Sequence, residues 1–356
     1  MKRPVLGMLL LVLTAVAIFI ALPKNNSSPQ ITSQKATITP TQHPSQSGHV
    51  ETIFVPYWGL DSHLSTTAYD TYVYFAVSPS NNGIDTTNDG YNDISQFTSD
   101  VPSTAKKLLA VSMVDSNTNE EVMSSKTLQQ KVINDTIFLA KKNGFDGVVL
   151  DLEYSALAFD GVIKNVSNFS GNFSADVKKN NLSYYQMLAG DTFYRGKPYD
   201  TGYIGKISDG VFVMAYDFHK ANGNPGANFP LVGEKNDYDF KIMTQDFLKN
   251  IPINKISVVF GLFGYDWTVD NEGNSTGPAN SLSLKDIQQK FLDECAFVHC
   301  KSGRDSASAE MKVTYTDANG DMHIVWYEDQ KSIAQKEAYL KTQGITSTGL
   351  WAYSYF

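Results

Sequence analysis

The sequence predicts an α/β protein with a (β/α)8 fold, the TIM-barrel class. Eight short runs rich in Val, Ile, Tyr and Phe recur along the chain and are typical of β-strands. Several of the intervals between them carry helical patterns, and strands that alternate with helices pair in parallel. No glycine-rich dinucleotide turn follows the first of these runs, so an eight-stranded barrel is favoured over an open doubly wound sheet.

An apolar segment precedes the predicted barrel. Lys2 and Arg3 come before an uncharged run from Val5 to Leu22, whose length is close to the roughly 20 residues that span a bilayer as a helix. We therefore predict a signal anchor, or transmembrane helix, over residues 1–22, with the rest of the chain outside the cytoplasm. The alternative is a cleaved signal peptide, which usually has a shorter apolar region and small residues at the cleavage site. Here the run continues directly into Pro23.

Residues 23–50 have the composition of a disordered linker. Of these 28 residues, 17 are Ser, Thr, Pro or Gln, none is acidic, and no apolar period is sustained. The folded domain is therefore expected over residues 51–356, where 25 basic residues stand against 37 acidic ones. The whole chain of 356 residues has a formal net charge of −8, and this acidic balance disfavours binding to nucleic acid.

The candidate strands and helices follow one another through this domain. The clearest helical pattern runs from about Thr127 to Asn143 and ends at Gly144. The eight candidate strands are Thr52–Tyr57, Tyr72–Val77, Leu108–Met113, Gly147–Leu152, Tyr184–Ala189, Val211–Tyr216, Ile256–Leu262 and Gly349–Tyr353.

The interval between the seventh and eighth candidate strands is far longer than the others. We predict a small α+β insertion there, over about 263–347. Alternating runs at Lys312–Thr316 and Met322–Tyr327 flank an Asn-Gly turn and predict an antiparallel hairpin. Cys295 and Cys300 should face an oxidising compartment, so we expect a disulfide between them. No metal site is expected, because a tetrahedral site needs about four ligands and the sequence has no second Cys/His cluster.

The most informative stretch is the fourth candidate strand and the residue that follows it. Because successive side chains of a strand alternate between faces, Val149, Asp151 and Glu153 point one way and Val148, Leu150 and Leu152 the other. The second, apolar face suits packing against helices. Both carboxylates are therefore expected in the barrel mouth, at the carboxyl end of the strand, where barrel enzymes hold their catalytic residues. Two carboxylates so close together in a partly desolvated site raise the pKa of at least one of them, which can then donate a proton near neutral pH.

This stretch resembles the DGxDxDxE signature of glycoside hydrolase family 18, the chitinase-like barrels. Asp146, Gly147, Asp151 and Glu153 match the signature, and Val149 replaces the first Asp of its DxDxE part. The resemblance covers about residues 51–356. It implies that Glu153 is the general acid and base and that Asp151 orients the N-acetyl group of the substrate, whose oxygen attacks the anomeric carbon. It also places Asp146 among the residues of the substrate site.

Two further runs are similar to motifs of the same family. At the end of the sixth candidate strand, the resemblance implies that Tyr216 hydrogen-bonds the acetamide and that Asp217 steadies the sugar, with Met214 beside the substrate. On the last candidate strand, Gly349 and Leu350 lead to Trp351, where the family places a Trp as the floor beside the cleaved bond. An indole face stacks well on the apolar face of a pyranose.

Aromatic residues near other strand ends look similar to the family's substrate-lining positions. They are Tyr57 at the end of the first candidate strand, and Tyr265 and Trp267 after the seventh. The segment His323–Asp329 resembles the insertion of the spore-germination and cortex-lytic branch, which cuts peptidoglycan. Chitin and the glycan of peptidoglycan are therefore both open as substrates.

The resemblance implies a glycosidase that hydrolyses β-1,4-linked polymers containing N-acetylglucosamine. Catalysis would be substrate-assisted and retaining, and would need no cofactor. We expect a monomer that is tethered to the membrane by its N-terminal helix. No nucleotide is expected as a ligand, since no P-loop or GxGxxG motif is present.

Two other hypotheses remain at this point. Val149 opens the alternative of a catalytically weak or inactive, lectin-like barrel that binds carbohydrate without turnover. The tether and the acidic surface alone would also fit a structural or interaction protein of the cell surface.

Overall fold

Eight parallel strands close into a barrel in the computed structural model, which describes residues 50–60, 64, 69–233 and 237–356. The barrel order is β1-β15-β9-β8-β7-β6-β5-β2, so each barrel strand lies beside the next one along the chain. The predicted barrel is confirmed, and each of the eight candidate strands overlaps one of its strands. Over the described residues the strands are β1 Val50–Pro56, β2 Thr71–Val77, β3 Pro79–Ser80, β4 Gly83–Ile84, β5 Lys106–Met113, β6 Gly147–Leu152, β7 Ser183–Ala189, β8 Gly210–Ala215, β9 Ile256–Gly261, β10 Phe263–Val269, β11 Asn280–Ser283, β12 Val298–Arg304, β13 Met311–Thr316, β14 Met322–Tyr327 and β15 Ser347–Trp351.

Helices connect most of the consecutive barrel strands. The helix predicted at about Thr127–Asn143 is α4, which begins after Ser125, whose side chain accepts a hydrogen bond from the Leu128 N–H. It ends just before Gly144, which has a positive φ of 69°. In the described part of the chain the helices are α1 Asp89–Asn92, α2 Ile94–Asp100, α3 Ser116–Ser124, α4 Lys126–Lys142, α5 Asp160–Lys179, α6 Thr201–Ile207, α7 Phe240–Asn250, α8 Leu284–Ile287 and α9 Gln330–Thr342, with 3-10 turns at Tyr57–Gly59 and Ile253–Lys255 and a π-turn at Gln288–Leu292.

Side chains of the barrel strands alternate between the barrel interior and the helix-covered outside. On β6, Val149 is fully buried in an interior cluster that includes Phe54 and Phe212. Val148, Leu150 and Leu152 belong instead to the outer cluster, together with apolar residues of α4 and α5. The expected division of β6 into two faces is therefore confirmed, and the next inward residue after Val149 is Asp151.

The chain between β9 and β15 forms a second, antiparallel sheet in the order β11-β10-β14-β13-β12. The predicted hairpin is confirmed as β13 and β14, which are joined by a turn in which Gly320 has a φ of 89°. Sequence pattern does not indicate the other three strands of this sheet. Only one residue separates β10 from β9, so the sequence of the two strands reads as one continuous strand. β11 is short and polar, and β12 is largely exposed, so neither shows an apolar run.

Two further expectations concern the disulfide and the N-terminal segments. The structure joins Cys295 and Cys300 by a disulfide bond, with the Cα atoms 6.5 Å apart. The signal anchor predicted at residues 1–22 lies outside the described residues, and so does the linker predicted at 23–50 apart from Val50. Over the ranges that the structure describes, no helix is both long enough and apolar enough to cross a membrane.

The close approach of β10 and β14 at Gly264 gives a test of the second sheet. A Cβ atom at this position would lie 2.1 Å from the carbonyl oxygen of Trp326 and 2.4 Å from the Cβ of Tyr327. Because the nearer atom belongs to the backbone, we expect Gly264→Ala to lower the free energy of unfolding by about 1–3 kcal/mol or more. In the matched control, Gly303→Ala on β12, the new Cβ would meet nothing within 4 Å. Equal thermal melting temperatures for the two variants would contradict this packing.

Candidate active site

A cavity of about 420 Å³ lies at the carboxyl ends of the barrel strands. Among the described residues that line it there is no Lys, Arg or His, so the charge of its lining comes from three carboxyl groups. The cavity brings together eight of the ten residues that the sequence assigns to catalysis or substrate binding: Tyr57, Asp151, Glu153, Met214, Tyr216, Asp217, Tyr265 and Trp351. Other lining residues, which the sequence does not single out, include Ser112, Phe75, Met187 and Phe263.

Asp151 is the most deeply placed carboxyl group of the cavity, with only 2% of its surface exposed. It pairs in register with Ser112 on the neighbouring strand β5, and the Ser112 hydroxyl donates a hydrogen bond to Asp151 Oδ2 at 3.3 Å. Within the described residues, Asp151 Oδ1 has no hydrogen-bond partner. No hydrogen bond from the described residues therefore stabilises negative charge on this oxygen.

The pKa of Asp151 is raised to about 8. Burial is the largest cause, because it penalises the charged form, and the negative charge of Glu153 adds to it. The hydrogen bond from Ser112 and the positive charge of Lys197 act in the opposite direction. The sequence predicts that one carboxyl of the pair has a raised pKa, and the structure assigns that pKa to Asp151.

Glu153 lies one residue beyond β6, and hydrogen bonds fix its backbone on both sides. Its N–H donates to the Met113 carbonyl oxygen at 2.9 Å, and its own carbonyl oxygen accepts from Asn119 Nδ2 at 3.2 Å. The Tyr199 hydroxyl donates to the Leu152 carbonyl oxygen at 2.6 Å and accepts from the N–H of the residue after Glu153 at 3.0 Å. Asn119 and Tyr199 are not predicted by the sequence, because no local pattern reveals contacts between residues that lie 34 or 47 positions apart.

Tyr216 and Asp217 follow β8. Burial, and then the charges of Asp151, Asp217 and Glu153, raise the pKa of Tyr216 well above its ordinary value, so its hydroxyl remains a donor. Burial also raises the pKa of Asp217, against the effect of the Tyr265 hydroxyl, which donates to Asp217 Oδ1 at 2.7 Å. Asp217 adopts a φ of 60°, a conformation that non-glycine residues seldom adopt.

Aromatic rings form one side of the cavity around Trp351. The Trp351 ring lies 4.6 Å from that of Phe75, 6.3 Å from that of Trp58 and 6.4 Å from that of Tyr216, measured between centroids. Trp351 is half-buried and Trp58 is 53% exposed, so both offer ring surface to a ligand. Rings of this kind stack on the apolar faces of sugars.

Two residues that the sequence assigns to substrate binding lie away from the cavity. Asp146 precedes β6 and is therefore at the opposite, amino end of the strand, where its exposed carboxylate accepts a hydrogen bond from the Lys107 N–H at 2.8 Å. Trp267 is fully buried in β10, with its ring 5.5 Å from that of Tyr265. Neither residue lines the cavity, so the structure does not bring these two together with the other eight.

Comparison with known proteins identifies the family. The model of Glycosyl hydrolases family 18 matches residues 30–355. The protein named "Uncharacterized glycosylase YvbX" of Bacillus subtilis (strain 168) is 27% identical over 322 residues, which are 82% of this chain and 83% of that protein. The cortical fragment-lytic enzyme of the same organism is 22% identical over 234 residues, which cover 65% of this chain and only 51% of that enzyme.

Solved structures share the barrel. The spore cortex-lytic enzyme SleL of Bacillus cereus has a TM-score of 0.67 at 19% identity, covering 86% of this chain and 71% of that one. A mutant class V chitinase from Nicotiana tobaccum in complex with NAG4 has a TM-score of 0.73 at 16% identity, covering 86% and 95%. Because the family model spans nearly the whole chain, this protein belongs to glycosyl hydrolases family 18 and is a glycoside hydrolase.

Proposed function

We propose that the protein hydrolyses β-1,4-linked polymers containing N-acetylglucosamine, by substrate-assisted retaining catalysis outside the cytoplasm. The observation that carries this proposal is the pair Asp151 and Glu153 in the barrel mouth, with the pKa of Asp151 raised to about 8. Two coupled carboxyl groups of this kind hold a proton between them near neutral pH. A proton held there can serve as the acid that glycoside cleavage needs.

The proposed reaction has two steps. In the first, Glu153 carries the proton of the pair and gives it to the glycosidic oxygen, the bond from that oxygen to the anomeric carbon breaks, and the released part of the chain leaves with a hydroxyl group. The acetamide oxygen of the sugar that keeps the anomeric carbon attacks this carbon, which forms a cyclic oxazolinium ion. In the second, the Glu153 carboxylate takes a proton from water, and the water oxygen attacks the anomeric carbon and reopens the ring. Two inversions at one carbon give a product with retained configuration, and Glu153 has its proton back.

The residues around Glu153 act on the acetamide group and on the sugar. Positive charge develops on the acetamide as its oxygen attacks, and the Asp151 carboxylate stabilises that charge by accepting from the acetamide N–H. Tyr216 keeps its proton and donates to the acetamide oxygen. Asp217, which the Tyr265 hydroxyl holds, accepts from a hydroxyl of the sugar. Trp351 lies under the apolar face of the ring.

Chitin and the glycan of peptidoglycan are both candidate substrates. The class V chitinase with the same fold is solved in complex with NAG4, whereas SleL is named a spore cortex-lytic enzyme. The described lining of the cavity contains carboxyl groups and no cationic side chain, which favours an uncharged sugar at the reacting position. This supports cleavage after N-acetylglucosamine in either polymer.

The proposed location rests on the sequence and on the disulfide. Lys2 and Arg3 before the run Val5–Leu22 favour a membrane anchor with the barrel outside. The disulfide between Cys295 and Cys300 suits an oxidising compartment. The protein would be secreted if the segment were cleaved.

Val149 favours a second candidate function, carbohydrate binding without turnover. The side chain of Val149 is fully buried in the barrel interior, directly behind Asp151, so no second carboxylate can act on Asp151 from that position. Saturable binding of chitin oligosaccharides with no cleavage of any amino-sugar glycan would support this function over hydrolysis. Val149→Asp would then be the variant to examine for recovered activity.

Glu153 is the residue proposed to give and to take the proton. Glu153→Gln keeps the shape of the side chain but removes its proton, so we expect hydrolysis to fall by about 10²–10⁴-fold. The measurement is mass spectrometry of the products from chitin oligosaccharides and from purified peptidoglycan, which also shows which polymer the wild type cuts. Glu272→Gln is the control, because Glu272 is exposed and lies outside the cavity. Wild-type rates in Glu153→Gln would refute the assignment.

The proton held by the carboxyl pair makes the proposed activity depend on pH. The alkaline limb of the kcat/KM profile should report loss of the proton that Asp151 and Glu153 hold. Ser112 lowers the pKa of Asp151 by donating to its charged form, so Ser112→Ala should raise that pKa and move the limb to higher pH by about 0.5–1 unit.

Ser257→Ala is the matched control for this pH shift. Both serines are 7% exposed on barrel strands, and within the described residues the Ser257 hydroxyl has no hydrogen-bond partner. The alkaline limb of the kcat/KM profile of Ser257→Ala should coincide with that of the wild type. A limb that stays in place or moves to lower pH in Ser112→Ala would show that Asp151 does not control it.

A further inference from the structure

Three ionisable side chains form a fully buried cluster outside the active-site cavity. Lys336 of α9 donates to Glu310 Oε1 at 2.8 Å, and to Glu328 at 2.7 Å and 2.9 Å through both oxygens of that carboxyl group. Glu310 precedes β13 and Glu328 follows β14, so both belong to the inserted segment between β9 and β15. All three side chains have 0% exposure. We call this group the buried ion cluster.

Such a cluster is costly to bury, and stability alone does not account for it. Replacing buried ion pairs by apolar residues of similar size is often neutral or stabilising. Here two acids surround one lysine, and burial raises the pKa of Glu328 to about 8 in spite of the attraction of Lys336. Burial alone would lower the pKa of Lys336, but the charges of Glu310 and Glu328 raise it. Lys336 is therefore a cation, with Glu310 as a partner.

Glu310 has further contacts that lead towards the active site. Its Oε2 accepts from the Asn228 N–H at 2.5 Å, and its Oε1 accepts from the Phe229 N–H at 2.8 Å. Asn228 and Phe229 are buried and lie in the segment between β8 and α7, outside any helix or strand. Buried N–H groups in such a segment need an acceptor from elsewhere in the fold. The carboxylate of Glu310 supplies two acceptors at once.

Asn228 in turn holds the backbone of Asp217 and its neighbour. The Asn228 Oδ1 accepts from the Asp217 N–H at 2.8 Å, and the Asn228 carbonyl oxygen accepts from the Phe218 N–H at 2.8 Å. Asp217 has a φ of 60°, which costs energy in a residue with a side chain. These hydrogen bonds counter the tendency of the segment to relax towards a negative φ, which would redirect the carboxyl group.

We propose that Glu310 is a positioning residue for Asp217, acting through Asn228, and that Lys336 holds the Glu310 carboxylate in place against the Asn228 segment. The inserted segment then does more than line the cavity, because it fixes the backbone that carries one of the sugar-binding carboxyl groups. This inference rests on the proposed function for the part that Asp217 takes in the reaction. The positioning itself is a property of the structure and can be measured without turnover.

The test compares Glu310→Gln with Glu328→Gln in the purified protein. Both variants remove one buried carboxylate from Lys336, but only Glu310 contacts the Asn228 segment. In Glu310→Gln an amide NH₂ group replaces one of the two acceptors, so one backbone N–H loses its partner. We expect kcat on the hydrolysed glycan to fall by about 10–100-fold with KM nearly unchanged, and kcat of Glu328→Gln to remain within about twofold of wild type.

A readout that needs no activity accompanies these rates. Hydrogen exchange of peptides that span residues 216–229, followed by mass spectrometry, should be faster in Glu310→Gln than in Glu328→Gln at equal distance below their melting temperatures. If Glu310→Gln does not fold, Glu310→Asp replaces it, because the shorter side chain keeps the charge beside Lys336 but cannot reach both N–H groups. We expect the same faster exchange and the same loss of kcat from Glu310→Asp.

The outcomes separate this inference from the proposed function. Equal exchange in the 216–229 region for the Glu310 and Glu328 variants would overturn the positioning role, and so would equal kcat in the two variants if the wild type cleaves a glycan. A wild-type protein that cleaves no glycan would refute the proposed function alone. In that case, faster exchange in the Glu310 variants would still support the positioning of Asp217.

Discussion

A carboxyl group that loses contact with water resists ionisation, and the chemistry of this site depends on that resistance at Asp151. Its side chain is the last inward-facing one of β6, with the apolar barrel interior behind it and only 2% of its surface exposed. Burial and the neighbouring Glu153 keep a proton in the pair at a pH where an isolated carboxyl group would have lost it. The same exclusion of water keeps the Tyr216 hydroxyl protonated. One physical cause therefore provides both an acid and a hydrogen-bond donor where the sequence places its catalytic residues.

The inward-facing residue that precedes Asp151 on β6 is Val149, whose apolar side chain cannot hydrogen-bond the Asp151 carboxyl group. Its hydrogen-bond partner lies to the side instead, on β5, where Ser112 is in register with Asp151. A hydroxyl carries no charge, so it stabilises the carboxylate without adding a second group that titrates. In family members with the full signature, a carboxyl group stands where Val149 is found. In this chain, burial, Glu153, Lys197 and Ser112 set the charge of Asp151 without one.

The sequence predicted the barrel strands and the carboxyl pair because both depend on local patterns. Apolar runs show the strands, and the alternation along β6 determines which side chains share the barrel mouth. Contacts between distant segments leave no such pattern, which is why Asn119 and Tyr199 were missed although they fix the backbone around Glu153. A motif match also does not tell at which end of a strand a residue lies. Asp146 matches the signature and yet precedes β6, so it lies at the end of the barrel opposite the cavity.

Two chain connections join the barrel and the second sheet: Leu262 alone, between β9 and β10, and the longer stretch with α9, between β14 and β15. The Leu262 N–H donates to the carbonyl oxygen of Trp351 at 2.7 Å, so the sheet that carries Tyr265 is also bonded to the strand that carries the aromatic floor. A hinge needs a few residues whose backbone angles can change, and a single residue between two strands does not provide them. On the side of the cleft next to Leu262, the width is thus set when the barrel closes. A preference for longer or shorter glycan chains would then change through side chains on the facing surface of the sheet, and not through the movement of a lid.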